Sequence, residues 1–246
     1  MSNLAVIIGT SGALGTAIAK RFKQSGYTVC GLDITDKENT DIDLFIEVDL
    51  NRFVTDEQTK SEVIAQIRNW AGGNTIRTII NNAAYQYVSQ SHPIDVNEML
   101  KSYNVNVVAP YLLIASLADQ ITKSIGCVVN VGSIHSRLTK PGFLAYSTTK
   151  AALSALTRGL AIDYEDRFRI NCIEPAAIST PMLVDGFKSN PEKLDELESY
   201  HPQKRISTPD EIAEMIYQLN SSKIRFLHGS CIDMSGGISS RLYDPI

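Results

Sequence analysis

The chain of 246 residues predicts an α/β protein, a doubly wound sheet of about seven parallel strands with helices on both faces. Three observations carry this reading. Short β-branched apolar runs recur along the whole length, longer stretches with helical spacing lie between them, and the first run passes directly into a glycine-rich turn that opens a helix. Such alternation implies right-handed crossovers and a parallel sheet covered by helices on both sides. Ligands then bind beyond the carboxyl ends of the strands.

The strands are read at Leu4 to Ile8, Thr28 to Leu32, Leu44 to Val48, Thr75 to Ile80, Cys127 to Val131, Arg169 to Ile173 and Ser230 to Met234. The first helix is the clearest: Ala13, Leu14, Ala17, Ile18 and Phe22 fall on one face, and Gly26 follows as a stop. Further helical stretches run from Glu98 to Thr122 and from Tyr146 to Ala161. Thr180 to Arg205 breaks the rhythm, because it carries Pro181, Pro191 and Pro202 among many charges. It is too long for an ordinary connection and too polar for core, so a lid over about 180–205 is expected; the plainer alternative is a surface excursion with one short helix near Pro191. No repeat and no Pro/Gly/Ser-rich linker divides the chain, so residues 1–246 are read as one domain.

Composition bounds the partners. Apolar residues make up 43% and charged residues 20%, ordinary proportions for a globular protein. A formal net charge of −4 supplies no drive toward nucleic acid or an anionic membrane, so neither is an expected partner. No apolar run approaches the roughly 18 residues of a membrane span. The start has no basic region before an apolar stretch, and the four cysteines are dispersed without a CxxC pair. They read as reduced core residues, and a cytoplasmic or other reducing location follows. The four histidines are also scattered, and no metal site emerges.

Gly9-Thr10-Ser11-Gly12-Ala13-Leu14-Gly15 follows the first strand and opens the first helix. Glycines permit a tight turn and a close backbone approach, while exposed amides and the helix dipole favour a pyrophosphate. Gly9 and Gly12 make the turn, and Gly15 lets helix and strand pack closely. The arrangement is therefore Rossmann-like. Eighteen residues after Gly15, Asp33 ends the second strand, where a carboxylate accepts the hydroxyls of an adenosine ribose. A 2′-phosphate there would set like charges together, and neither Thr10 nor Ser11 compensates, so NAD(H) is favoured over NADP(H). Lys37, close in sequence, weakens that argument. Asp49, with Leu50 following, either contacts the adenine or caps a helix.

Tyr146 and Lys150 stand four apart at the start of a helical pattern and share a face. A free tyrosine titrates near pH 10. An ammonium about 5 Å away, at an effective dielectric of about 20, favours the phenolate by roughly 3 kcal/mol, about two pKa units. The pair alone is a common helical motif. Upstream, Val128-Val129-Asn130-Val131-Gly132-Ser133 reads as a buried strand that ends in a hydroxyl able to polarise a substrate oxygen.

With Ser133 thirteen residues before Tyr146, nearly the whole chain resembles the short, single-domain branch of the short-chain dehydrogenase/reductase family. The resemblance implies Tyr146 as general acid/base, Lys150 as its electrostatic tuner and ribose ligand, Ser133 as oxygen anchor and Asn106 as holder of a relay water. It implies a cofactor site of Gly9, Ser11, Gly12, Leu14, Gly15, Asp33, Asp49, Leu50, Asn82, Ala83, Tyr146, Lys150, Pro175, Ile178 and Thr180. The activity implied is hydride transfer between NAD(H) and a secondary alcohol or carbonyl compound. Alternatives are an NADPH-preferring reductase and a nicotinamide-binding regulator without turnover. The chain departs from the family pattern in the shifted glycine at Gly12, in Ala84, Ala109 and Ala176 where glycine is common, and in Ser235 where aspartate is common.

The candidate substrate pocket comprises Tyr85, His135, Phe143, Met182 and Leu183, with Gln86 and Phe187 as further members. They follow strand ends or lie in the expected lid. Leu112, Leu113, Leu153 and Leu156 exceed what one core face needs and suggest a helix-to-helix homodimer. The resemblance adds a homotetramer, with Ser235 to Ile246 near another subunit's pocket.

Overall fold

The computed structural model describes residues 3–89, 93–121, 123 and 125–242. Among them are seven strands: β1 (Asn3–Ile8), β2 (Tyr27–Asp33), β3 (Leu44–Glu47), β4 (Ile76–Asn81), β5 (Cys127–Val131), β6 (Arg169–Pro175) and β7 (Cys231–Met234). They pair in parallel in the order β3-β2-β1-β4-β5-β6-β7. Every expected strand is present, with ends displaced by no more than two residues. The helices are α1 (Ala13–Gln24), α2 (Leu50–Thr55), α3 (Glu57–Ala71), α4 (Val96–Tyr103), α5 (Ala109–Leu117), α6 (Leu144–Tyr164), α7 (Pro181–Gly186), α8 (Pro191–Tyr200) and α9 (Pro209–Ser221).

Side-chain alternation along the strands divides the core between the two faces of the sheet. Val6 and Ile8 of β1 join Phe53, Ile67, Leu113 and Leu117 on one face, whereas Ala5 and Ile7 join Ile18, Phe22, Ile212 and Ile216 on the other. Phe22 is completely buried, and the rings of Tyr27 and Tyr217 meet it edge-on at 5.0 and 5.6 Å. Burial of such a ring contributes about 1.5–3 kcal/mol. Local signals set the helix ends. Asp56 accepts the Thr59 amide at the start of α3, Gly72 closes it with φ 56°, and Thr208 and Glu211 cap each other reciprocally at α9.

Because β1 lies between β2 and β4, the chain reverses its direction of travel across the sheet there. In this architecture the ligand crevice lies beyond the carboxyl ends of the strands at such a reversal. Two glycines make the crevice possible. Gly9 has φ +87°, and a Cβ on it would lie 2.6 Å from the Ala83 amide nitrogen; a Cβ on Gly15 would lie 1.8 Å from the Gly9 carbonyl oxygen.

The structure corrects two expectations. The helical stretch expected from Glu98 to Thr122 runs without interruption from Val96 to Leu117, but its hydrogen bonding widens into a π-helical turn over Asn104–Val108 between α4 and α5. Pro110 has no N–H to donate to the carbonyl four residues back, that of Asn106, so the regular hydrogen-bond ladder lapses here. Thr122 lies outside the described residues. The second correction concerns assembly: Leu113 and Leu153 are core residues, and Leu112 and Leu156 pack half-buried against the core, so these four leave no surplus face. Tyr111, Leu144 and Ile162 are the large exposed apolar residues of α5 and α6.

Between β6 and α9 the chain forms the two short helices α7 and α8, each with proline in its first turn. A neck closes this excursion at its base, where the Ser179 amide donates to the Ser207 carbonyl (2.8 Å) and the Ser207 amide to the Ala177 carbonyl (3.2 Å). Among the described residues no helix is long and apolar enough to cross a membrane.

Gly15→Ala should lower the free energy of unfolding by about 1–3 kcal/mol, since its methyl must displace the Gly9–Thr10 backbone. Chemical denaturation reads this directly, and an unchanged midpoint would mean that the turn yields without cost.

Candidate active site

The turn after β1 is held from the neighbouring strand. Asn82 Nδ2 donates to the Gly9 carbonyl (2.7 Å), and the Asn82 and Ala83 amides both donate to the Ile8 carbonyl. Gly12 is the N-cap of α1 and makes no side-chain capping bond, so no cap side chain occupies the helix start. No heavy atom comes within 4 Å of a Cβ placed on Gly12. Thr10 Oγ1 is buried without a hydrogen-bond partner. Amides at a helix start, clear space above them and an orphaned hydroxyl beside them fit a pyrophosphate.

Asp33 stands at the edge of the same crevice. Its Oδ2 accepts from the Ser11 amide (2.8 Å) and its Oδ1 from the Ile34 amide (2.7 Å), which fixes the carboxylate and leaves further lone pairs for ribose hydroxyls. A cavity of about 180 Å³ beside it is lined by Ser11, Asp36, Lys37 and Glu38 among others, so carboxylates outnumber the ammonium there. These acceptors suit the hydroxyls of a nucleotide ribose. Asp49 caps α2 by accepting the Asn51 amide (2.8 Å), and Leu50 is buried behind it. On the far side of the crevice Pro175 ends β6, Ile178 pairs with Ser207, and Thr180 caps α7.

The fold brings Ser133, Tyr146 and Lys150 together. Ser133 is buried just past β5, and its Oγ accepts from the His135 amide (3.2 Å). Lys150 is 2% exposed, and its Nζ donates to the Val131 carbonyl (2.7 Å) and lies 5.5 Å from the centre of the Tyr146 ring. Asn106 sits in the π-helical turn with its amide fully engaged. Oδ1 accepts from the Tyr85 amide (2.7 Å), while Nδ2 donates to the Tyr85 carbonyl (2.9 Å) and to Thr149 Oγ1 (2.9 Å). Thr149 Oγ1 donates onward to the Tyr146 carbonyl (2.8 Å). The Asn106 side chain thus fastens the loop after β4 to the first turn of α6.

The pair also behaves differently from its expected electrostatics. Burial pushes the Tyr146 phenol up to about 12, against a downward pull from a hydrogen bond with the Ser133 hydroxyl. Burial likewise pushes the Lys150 ammonium down to about 8, partly offset by the nearby Cys172 thiol. Desolvation is thus the largest influence on each group, where the expected influence on Tyr146 was the charge of Lys150.

Three features escaped the sequence reading. Glu174, two residues beyond Cys172 on β6, is 2% exposed; its Oε1 accepts from Ser136 Oγ (2.8 Å) and Ser154 Oγ (2.7 Å), and its Oε2 pairs with Arg137 (3.1 Å). It therefore ties the loop that follows Ser133 to the helix that carries Tyr146 and Lys150. An ionisable residue between Ile173 and Pro175 at the end of an apolar run was the available signal. Cys172 and Cys231, expected as separate core residues, face each other in register across β6 and β7. A hydrogen bond from the Cys172 thiol lowers Cys231 and raises Cys172 itself. No sequence pattern announces that pairing. Thr149, the third, is the link between Asn106 and Tyr146.

Of the substrate candidates, His135 stacks on Phe143 (4.8 Å, 11° between planes) and meets Tyr146 edge-on at 5.7 Å, so these three rings form one wall. Burial, with Lys140 nearby, lowers the His135 pKa, and its Nδ1 is buried without a partner. Tyr85 instead turns its hydroxyl onto Glu98 of α4, under the ammonium of Lys101. Leu183 is half-buried in α7, Gln86 is exposed, and the side chain of Met182 lies outside the described residues. A separate cavity of about 690 Å³ is lined by Arg137, His201, Arg205, Asp233 and Ser239 among others, and by none of Ser133, Tyr146 and Lys150. Residues 243–246 of the tail lie outside the described residues.

Known proteins share this plan. A family model described as enoyl-(acyl carrier protein) reductase matches residues 9–239. The protein FixR of Bradyrhizobium diazoefficiens is 30% identical, with 94% of this chain and 85% of that protein covered. The 2-(R)-hydroxypropyl-CoM dehydrogenase of Xanthobacter autotrophicus is also 30% identical, over 98% of this chain and 100% of its own. The ligand-free structure of Thermoplasma acidophilum aldohexose dehydrogenase superposes with a TM-score of 0.89 at 26% identity, covering 100% of this chain and 98% of that one.

The buried ammonium of Lys150 has a consequence for stability. Between about pH 8, its folded value, and its ordinary 10.5, the unfolded chain binds the proton and the folded chain does not. Stability then rises with pH, by on the order of 3 kcal/mol at most. Tyr146 acts in the opposite sense from its ordinary 10 up to about 12, which confines the rise to about pH 8–10. Urea unfolding should show this rise in the parent and its absence in Lys150→Met; equal slopes in both would remove Lys150 as its source.

Proposed function

The chain belongs to the short-chain dehydrogenase/reductase family, and on that premise we propose that it is an NAD(H)-dependent oxidoreductase interconverting a secondary alcohol and its carbonyl compound. The observation that carries the reading is the convergence of Ser133, Tyr146 and Lys150 beside a crevice suited to a dinucleotide. A regulator that only bound the nucleotide would have no use for a buried ammonium next to a phenol.

The nicotinamide, when bound, supplies or takes up the hydride. The chain does the rest. The turn from Gly9 to Gly15 and the start of α1 hold the pyrophosphate, with Leu14, Asn82 and Ala83 forming the surrounding wall. Asp33 takes the adenosine ribose hydroxyls, Asp49 and Leu50 border the adenine, and Pro175, Ile178 and Thr180 line the nicotinamide side. Ser133 hydrogen-bonds the substrate oxygen. Tyr146 donates a proton to that oxygen in reduction and takes it back in oxidation. At neutral pH its raised pKa keeps it protonated, the form that reduction needs. Lys150 holds a ribose hydroxyl and opposes the charge that develops on the phenol. Asn106 is a positioning residue, acting through Tyr85 and Thr149.

The rings of His135 and Phe143 give the substrate an apolar wall beside Tyr146, and Leu183 borders the pocket, whereas the Tyr85 hydroxyl is engaged by Glu98. The segment 180–205 is its lid on a single domain of residues 1–246. We assign the location as cytoplasmic. The assembly is a homodimer or homotetramer, with exposed Tyr111 and Leu144 in place of the buried leucines as contacts.

Two measurements test this reading. Tyr146→Phe should slow turnover by about 10²–10⁴-fold and leave NADH binding unchanged, because only the transferred proton is lost; turnover within about threefold of the parent overturns the assignment. The parent should bind NADH at least about tenfold more tightly than NADPH, equivalent to about 1.4 kcal/mol of repulsion at Asp33. Tighter NADPH binding refutes the role given to Asp33.

A further inference from the structure

The pairing of Cys172 with Cys231 has no part in the proton chemistry, yet it stands next to a buried carboxylate. Cys172 and Glu174 are two apart on β6 and so share one face of the sheet, and Cys231 is the in-register neighbour of Cys172 on β7. The two sulfurs and a carboxylate oxygen of Glu174 all lie within 4.8 Å of one another. We propose that Cys172, Cys231 and Glu174 form a binding site for a thiophilic divalent cation of the zinc and cadmium type.

The geometry needs little adjustment. Metal–sulfur bonds of about 2.3 Å in a tetrahedron set the sulfurs roughly 3.8 Å apart, so from 4.8 Å the sulfurs close by about 1 Å at most and the carboxylate oxygen by slightly more. Such a movement is within the reach of side-chain rotation. Two sulfurs with one carboxylate select zinc or cadmium over magnesium and calcium, which require shells of oxygen. Cys172 and Glu174 are buried, while Cys231 is half-buried on the outermost strand of the sheet. The ion therefore enters past Cys231, and water fills the fourth position.

Charge does not oppose binding. Each thiol releases its proton to solvent as its sulfur takes the ion, so two positive charges arrive and two leave. Arg137, paired with Glu174, and Arg158, whose Nη1 is 3.6 Å from Cys231 Sγ, then face the same net charge as before. Ser136 and Ser154 already orient Glu174 through Oε1, as outer partners of a metal ligand do. Oε2 becomes available when Arg137 withdraws to Asp233, which it already contacts at 2.9 Å.

The test is a titration of the reduced, chelator-treated full chain with cadmium ion, followed by the thiolate-to-cadmium absorption band. One ion per chain should saturate the band, and zinc should displace it. Cys231→Ser should weaken binding by at least about 100-fold and remove much of the band. Glu174→Gln, which keeps both sulfurs, should preserve the band and weaken binding by roughly 10–100-fold. A Cys30→Ala/Cys127→Ala double variant should titrate like the parent, since both of those thiols are buried elsewhere in the core. Circular dichroism checks that each variant is folded. Absence of a saturable band, or a Cys231→Ser titration matching the parent, overturns the site. Unchanged affinity in Glu174→Gln overturns the three-donor arrangement.

Discussion

The rest of the site depends on one hydrogen bond, from the ammonium of Lys150 to the carbonyl of Val131 (2.7 Å). It joins the first turns of α6 to the end of β5, two residues before Ser133, and so sets the helix that carries the phenol against the strand that carries the hydroxyl. A lysine that is 2% exposed is costly to keep charged, and burial pushes its pKa down to about 8. In the proposed reaction that charge and position serve a phenol that gives and recovers a proton.

Two further ties surround this bond, and each begins outside α6. Asn106, at the point where Pro110 interrupts the regular hydrogen-bond ladder, reaches the loop after β4 on one side and Thr149 on the other. Glu174, at the end of β6, reaches Ser136 and Ser154. The first turns of α6 are therefore fixed by β5 directly, by the β4 loop through Asn106 and by β6 through Glu174. Three separate anchors explain how four side chains distant in sequence keep a common geometry.

Glu174 also links the proton-handling site to the thiol pair. Its Oε1 serves the loop after Ser133 and the helix of Lys150, its Oε2 pairs with Arg137, and one carboxylate oxygen lies within 4.8 Å of the Cys172 and Cys231 sulfurs. An ion on the sulfurs would compete for the carboxylate that ties loop to helix. The thiols and the phenol thus share one electrostatic neighbourhood, as the effect of Cys172 on Lys150 already indicates.

The sequence by itself determined the seven strands, the parallel sheet and the glycine turn, because these rest on local periodicity and on backbone freedom at Gly9 and Gly15. It also supplied Ser133, Tyr146 and Lys150, whose spacing reflects one strand, one loop and one helix. The tertiary structure alone decided what lies between distant segments. Cys172 and Cys231 are 59 positions apart and meet only because β6 and β7 pair in register. Leu113 and Leu153 resemble surface apolar residues in a helical pattern until the fold buries them. The pKa directions of Tyr146 and Lys150 depend on the fold for a related reason: sequence spacing gives the distance between two charges, whereas desolvation depends on everything packed around them.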